Sequence, residues 1–279
     1  MIHPYLSARV ILVAMALIPC FQRSATGQEK VLGYTAEQLD CARFLEIGES
    51  RILTEAGGRT RNQTSARRGV WQFRSPLAKR DVALEGWLDS LTISRRSEET
   101  TISPDTDGLL GGRYRGILTA RGAYTGQVRP FVPDGVAEVA GMDNALDDFF
   151  PPLAPRALKE GETWTDSLGL TIRRLPDSAL SGVPLYRFEL KKKGQARTAE
   201  TPADTAPLQL QQKSDELGVF VWHPLLGLVR RERRIVVETT VPPSRSVPQA
   251  VRSKVEQRIT LARYLGGGSC SPVVAPRAP

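Results

Sequence analysis

The sequence predicts a mainly β protein, a curved antiparallel sheet or half-barrel covered by one helix, behind an N-terminal signal peptide. Three observations carry this. Most of the chain alternates apolar and polar residues with a period of two, the mark of a half-buried strand. One stretch alone carries a strong helical period, so a single amphipathic helix is available to cover the apolar face of the sheet. The first residues form a short apolar run flanked by arginine and small residues.

The N-terminus comes first. Arg9 precedes an uncharged run of twelve residues, Val10 to Phe21, and Ala25-Thr26-Gly27 supplies small residues where a signal peptidase reads. The cut is placed before Gln28, so that 1–27 is a signal peptide. A run this short falls well below the roughly 20 residues that a membrane-spanning helix needs. Leu17-Ile18-Pro19-Cys20 puts a cysteine where a lipoprotein would carry its acyl chains, but the proline before it disfavours that processing and simple cleavage is preferred.

In the mature chain a short helix is expected over Thr35–Phe44. Strands follow at Val70–Arg74 and at Val82–Arg95, the latter expected to fold back at Asp89-Ser90. From Arg113 to Thr125 the alternation is clearest. Tyr114, Leu118, Ala120 and Tyr124 share one face, and Arg113, Arg115, Thr119 and Arg121 the solvent face. After Pro133-Asp134-Gly135, the positions Val136, Val139, Ala140, Met142, Leu146 and Phe149 or Phe150 recur at helical spacing until Pro151-Pro152. Asp134 caps this helix, and Asp143, Asp147 and Asp148 form its solvated face.

Further strands are read at Tyr186–Leu190, at Val229–Val241 with Arg231, Arg233, Ile235 and Val237 on one face, and at Lys254–Leu261. Phe220–Val229 reads as a hairpin interrupted by His223-Pro224 and Gly227. Lys191–Pro207 reads as a long loop, because it is rich in Lys, Ala, Thr and Pro. Pro242–Pro248 reads as a shorter loop, and the glycine-rich segment after Leu265 as a tail. The domain plan is therefore one β-rich domain over 28–265, with two halves meeting near 151–155, and a disordered tail over 266–279.

Composition excludes more than it assigns. The signal peptide holds two of the 38 basic residues and none of the 30 acidic ones, so the charge falls only from +8 to +6 on cleavage. No basic stripe interleaves with aromatics, and no nucleic-acid partner is expected. Weak attraction to anionic envelope surfaces is the most that this charge supports. Cys41 and Cys270 remain after cleavage, and an exported compartment permits a disulfide between them. By chain entropy so long a closure is worth about 5 kcal/mol.

The search for catalysis finds little. The mature chain has a single histidine, His223, set in Trp222-His223-Pro224, where a structural turn is the expected role. Clustered zinc ligands are absent from the sequence pattern. Asp105-Thr106-Asp107-Gly108 is only a fragment of a calcium loop, and a plain turn is expected. Gly-x-Ser-x-Gly does not occur, and Glu160 with Glu162 carries no spacing signal of its own. Neither enzymatic activity nor a cofactor is expected.

The segment Gly161-Glu162-Thr163-Trp164 carries a resemblance. A turn glycine, an acid, a spacer and a tryptophan opening a strand resemble the Gly-Glu/Asp-x-Trp element of several exported bacterial β families. Those families are similar in architecture to the outer-membrane lipoprotein carriers, whose half-barrel is plugged by helices and holds acyl chains. Phe149-Phe150-Pro151-Pro152, Gly218-Val219-Phe220 and Gly227-Leu228-Val229 follow the same order, over roughly Leu109 to Leu265. The resemblance implies no catalytic residues. It implies a periplasmic, outer-membrane-surface or extracellular protein that binds a lipid or other hydrophobic molecule, with peripheral membrane association. The candidate lining is Tyr114, Leu118, Tyr124, Leu146, Phe149, Phe188 and Trp222. The competing expectations are that these aromatics merely pack on one another, and that the chain is an adhesion module or a carboxylate-dependent hydrolase.

Overall fold

The computed structural model describes residues 31–75, 81–140, 142–200, 208–243 and 248–264. The expected signal peptide, the acylation signal at Cys20 and the tail with Cys270 lie outside these residues. Among the described residues twelve strands form one antiparallel sheet. They are β1 (Arg43–Ala56), β2 (Arg59–Arg74), β3 (Val82–Arg96), β4 (Thr101–Ile102), β5 (Tyr114–Leu118), β6 (Tyr124–Val128), β7 (Thr163–Thr165), β8 (Thr171–Leu180), β9 (Val183–Glu200), β10 (Leu208–His223), β11 (Gly227–Val241) and β12 (Val251–Arg263). Their order is β6-β5-β3-β2-β1-β12-β11-β10-β9-β8-β7, with β4 beside β3. The fold class read from the alternation is the one observed, a large curved open sheet with little helix. The sheet draws strands from both sides of 151–155.

Strand lengths set the shape. β1, β2, β9, β10, β11 and β12 run 13 to 18 residues each, about two to three times the usual strand. Their paired halves near Phe44, Trp71, Phe188, Phe220 and Leu261 are buried under the chain from Thr106 to Leu158. Their other halves run on beyond the core with only partial burial, and β1 turns into β2 at Gly57-Gly58.

The sequence-predicted elements return with revised boundaries. The helix over Thr35–Phe44 is one turn, α1 (Ala36–Leu39), closed by a capping box between Thr35 and Gln38; Phe44 is already in β1. The strand expected through Arg113–Thr125 is the hairpin β5–β6, reversed at Gly122, whose φ of 91° needs a glycine. The fold-back expected at Asp89-Ser90 is a bulge. β3 runs straight through, and the β2 register slips from Val70↔Ser90 to Trp71↔Leu88, leaving Asp89 unpaired.

The loop expected at Lys191–Pro207 is strand as far as Glu200. Lys192 and Lys193 sit opposite Glu216 and Asp215 on β10, and such cross-strand charge pairs hold a polar segment in a sheet.

The long helix also shortens. α2 spans Asp134–Ala140, followed by a 3-10 turn at Met142–Asn144 and further turns. Position 141 is glycine and 143–144 are Asp-Asn, all weak helix formers. The carbonyls of this segment are taken by the sheet instead: Ala140 by Arg67, Met142 by the Tyr114 hydroxyl, and Asp148 and Phe149 by Arg231. Its apolar positions Val136, Met142, Leu146, Phe149 and Phe150 are still buried. Asp147 and Asp148 are exposed, and the side chain of Asp143 lies outside the described residues.

Arg121 departs from its expected solvent face. Its guanidinium donates to the carbonyls of Leu32 at 2.5 Å, Ala154 at 3.2 Å and Pro155 at 3.4 Å, tying three segments together.

Candidate functional site

Strand register arranges the concave face in rows that cross the sheet, and each row has its own chemistry. The most buried reads Gly69, Glu46, Leu261, Arg231, Phe220 and Phe188 across β2, β1, β12, β11, β10 and β9. Two residues further along the strands come Ile93, Arg67, Gly48, Ile259, Arg233, Gly218 and Leu190, starting from β3. Next come Arg95, Ser65, Ser50, Gln257, Ile235 and Glu216, and then Gln63, Ile52, Val255 and Val237.

Between the last three rows and the segment of α2 lies a cleft of ≈ 510 Å³, inside the range of about 300–1,000 Å³ typical of small-ligand sites. Its roof is largely apolar, made by Ala137, Val139, Ala140, Ala145 and Phe149, with Asn144 and Asp148 between them. Its floor mixes Ile52, Ile93, Ile235, Ile259 and Leu261 with Ser50, Ser65 and Gln257 and with the charged Glu46, Glu49, Arg67, Arg95 and Arg233.

A buried ion network closes the inner end. Trp71 Nε1–H donates to Glu46 Oε2 at 2.6 Å, and Arg67 pairs with the other Glu46 oxygen. Arg67 lies over Gly48, where a β-carbon would come within 3.1 Å of its Cγ and Nε. Arg67 Nε has no hydrogen-bond partner among the described residues.

On the other side Arg233 Nε donates to Glu216 at 2.8 Å and its Nη1 to the Asp148 carbonyl at 3.0 Å. Arg231 donates to the carbonyls of Asp148 and Phe149. Burial, and then the neighbouring Arg233, hold the Arg231 guanidinium down to about 10, against a partial counterweight from Glu216. A single strand thus sends two arginines inward, and both serve to fasten the roof.

The sequence-predicted lining divides. Phe149 lines the cleft. Tyr114, Leu118, Leu146, Phe188 and Trp222 are each no more than 4% exposed in the closed core, and Tyr124 packs half-buried against it. Phe149 contacts Phe44, Trp71, Phe73 and Phe150 edge-on or tilted, with ring centroids 5.0 to 5.8 Å apart. Phe188 stacks on Phe220 at 4.9 Å and borders a void of ≈ 20 Å³. The sequence reading passed over the β1 and β2 contributions, because Gly48, Ser50, Ser65 and Arg67 give no apolar alternation. The one legible signal was the inward face of β11, where Arg231 and Arg233 share a side with Ile235 and Val237.

No family model matches the sequence, and no curated protein matches it. Among solved structures the chain is similar to lipovitellin, in a structure of its lipid–protein interactions, at 8% identity and a TM-score of 0.42. That match covers 84% of this chain and 27% of lipovitellin, so the chain spans about a quarter of that protein. It is similar to a domain assigned as an outer membrane lipoprotein-sorting protein domain from Vibrio parahaemolyticus, at 9% identity, TM-score 0.18, and coverage of 81% and 87%. A DUF1329 family protein from Desulfovibrio piger matches at 11% identity, TM-score 0.19, and coverage of 84% and 90%. With every TM-score below 0.5, these likenesses carry no function over to this chain.

The remaining polar residues singled out from sequence have structural partners. His223 Nδ1 accepts the backbone N–H groups of Leu225 and Leu226, both at 3.1 Å, and so shapes the β10–β11 turn. Asp105 accepts the Asp107 N–H at 2.9 Å in a local turn. Glu162 accepts the Lys159 N–H at 2.8 Å and the Arg156 guanidinium at 2.5 Å, which holds its carboxyl below the usual range, the backbone donor first. Gly161, with φ of 79°, makes that turn, and Trp164 lies half-buried in the middle of β7. Among the described residues no helix is long and apolar enough to cross a membrane.

Proposed function

We propose that this protein is an exported, non-enzymatic ligand carrier that holds a lipid or other hydrophobic molecule in the cleft between the concave face and α2. The observation that supports this is the cleft itself. A largely apolar roof faces a floor with five aliphatic side chains, and the space between them is left unfilled in a protein whose core beside it is packed aromatic to aromatic. Close packing is the rule in protein interiors, so a retained hollow of this size is a binding feature by default.

The same reading places the mature N-terminus at Gln28, in the periplasm, on the outer-membrane surface or outside the cell, as one domain over 28–265. It also joins Cys41 to Cys270. Cys41 is exposed at the turn after α1, and β12 ends beside that turn, where the Tyr264 N–H donates to the Arg43 carbonyl at 2.9 Å. Six residues of chain, reaching about 20 Å when extended, then lead to Cys270.

Native mass spectrometry of the protein purified from the envelope tests the carrier reading. A bound lipid released by organic extraction is the expected result. Protein that purifies bare, and stays bare after incubation with amphiphiles, would remove it.

A further inference from the structure

We infer that the cleft selects amphiphiles whose polar end is uncharged and both donates and accepts hydrogen bonds. That end lies against Ser50, Ser65, Gln63 and Gln257, and the hydrocarbon lies against the aliphatic residues of β11 and β12. This inference rests on the carrier reading above and adds the ligand class to it.

Each charged side chain that the floor turns inward is already engaged. Glu46 accepts from Trp71 and pairs with Arg67, which also donates to the Ala140 carbonyl at 3.3 Å. Arg233 is held by Glu216 and by the carbonyl and carboxylate of Asp148. Arg95 has a partner as well. Glu49 stands between Gly48 and Ser50 and so alternates to the opposite face of the sheet, in register with Arg258. On the roof, the side chains of Glu138 and Asp143 lie outside the described residues. An ionic head bound to the floor would have to displace one member of a formed pair, and a charge left unpaired in a part-buried site is costly.

The neutral polar groups are in the opposite condition. Ser65, Ser50 and Gln257 stand side by side across β2, β1 and β12, and Gln63 is two residues away from Ser65 on β2. The hydroxyls of Ser50 and Ser65 lie 2.8 Å apart, where one donates to the other. Two hydroxyls carry two protons, so this bond leaves one O–H to donate and several lone pairs to accept. The side-chain amides of Gln63 and Gln257 have no hydrogen-bond partner among the described residues, and each offers two N–H donors and a carbonyl. All four residues line the cleft and are half-buried. A pure hydrocarbon laid over them would strip these groups of water and return no bond for it. A hydroxylated ester answers them in both directions. Beside them Ile259, Ile235, Val255 and Val237 make the β12–β11 side of the floor aliphatic. The polar and apolar parts of one small amphiphile thus find separate places across the strands.

Isothermal titration calorimetry of the delipidated mature protein with monodecanoylglycerol, methyl decanoate and decanoate, each below its solubility and micellar limits, tests this. Monodecanoylglycerol is expected to bind about fivefold or more tightly than methyl decanoate, which is more apolar but has no donor, and than decanoate, which is charged. Fivefold is about the effect of one neutral hydrogen bond. Gln257→Leu should lower the affinity for monodecanoylglycerol by about the same factor and leave that for methyl decanoate unchanged. If that variant does not fold, the order of affinities in the unaltered protein still decides. Methyl decanoate or decanoate binding as tightly as monodecanoylglycerol overturns the head-group inference and leaves the carrier reading intact, and so does a folded Gln257→Leu protein that keeps the full preference. Binding of none of the three overturns both.

Discussion

At the scale of the residue, several charged groups buried in this core are answered by specific partners, so removing one partner is costlier than removing both. Glu46 takes the indole N–H of Trp71 and the guanidinium of Arg67 in a site that leaves it 5% exposed. Glu46→Leu should destabilise the fold by about 3–5 kcal/mol in urea unfolding, because it strands a buried cation and an indole donor. Adding Arg67→Met should recover much of that loss, and a double variant no better than the single one would contradict the account. Gly122 stands at a backbone angle closed to other residues, and a β-carbon there would lie 2.5 Å from the Pro151 carbonyl. Gly122→Ala should therefore cost more than about 1 kcal/mol by the same assay.

Two tyrosines should resist ionisation. Burial first, and then Asp147, pushes Tyr124 up to about 12, and burial pushes Tyr34 higher still. Folded pKa values above the unfolded value near 10 mean that the stability these groups contribute is whole below pH 10 and drains away as the pH climbs through the folded values. Phenolate absorbance followed against pH should show two tyrosines titrating only as the protein unfolds, and a single step near pH 10 for all of them would contradict this.

At the scale of the element, the strands outlast the core and the helix falls short of its pattern. Both have the same cause, competition for backbone hydrogen bonds. β9 continues through its lysines because β10 offers a ladder and opposing carboxylates. The chain after Ala140 leaves the helix because Arg67, Tyr114, Arg231 and Arg233 donate to its carbonyls instead. The roof of the cleft is thereby fastened at both ends by side chains from the sheet, while its middle touches the floor lightly. Val139 lines that middle and is half-buried. Val139→Trp should fill the cleft, sharply lower the amount of lipid recovered from the purified protein, and leave the melting temperature within a few degrees. Undiminished lipid in a folded Val139→Trp protein would move the ligand elsewhere.

At the scale of the whole molecule, the sheet is closed at one end and open at the other. Its core is gathered where α1, the β5–β6 hairpin and the 106–158 chain meet the inner halves of the strands. Three long hairpins project from it with their concave side half-covered. The bridge proposed between Cys41 and Cys270 would tie the start of the mature chain to its end at the closed pole. Thiol titration in denaturant should then find no free thiol before reduction in protein recovered from its native compartment. Reduction should lower stability by up to about 5 kcal/mol. Two reactive thiols before reduction would remove the bridge.

The alternation of residues such as Tyr186, Phe188 and Leu190 against Arg187 and Glu189 determined the fold class unaided, because a period of two can bury an apolar face only as a sheet. It also determined that His223 and Asp105 belong to turns, through their proline and glycine neighbours. What only the tertiary structure decided is the cleft. Phe149 came into it from the roof, while Tyr114 and Trp222, equally aromatic, were absorbed into packing. Gly48, Ser65 and Arg67 became its floor through register with strands distant in the sequence. Periodicity reports which face of a strand is inward, but whether an inward residue meets another side chain or an unfilled space depends on what the rest of the chain lays over it.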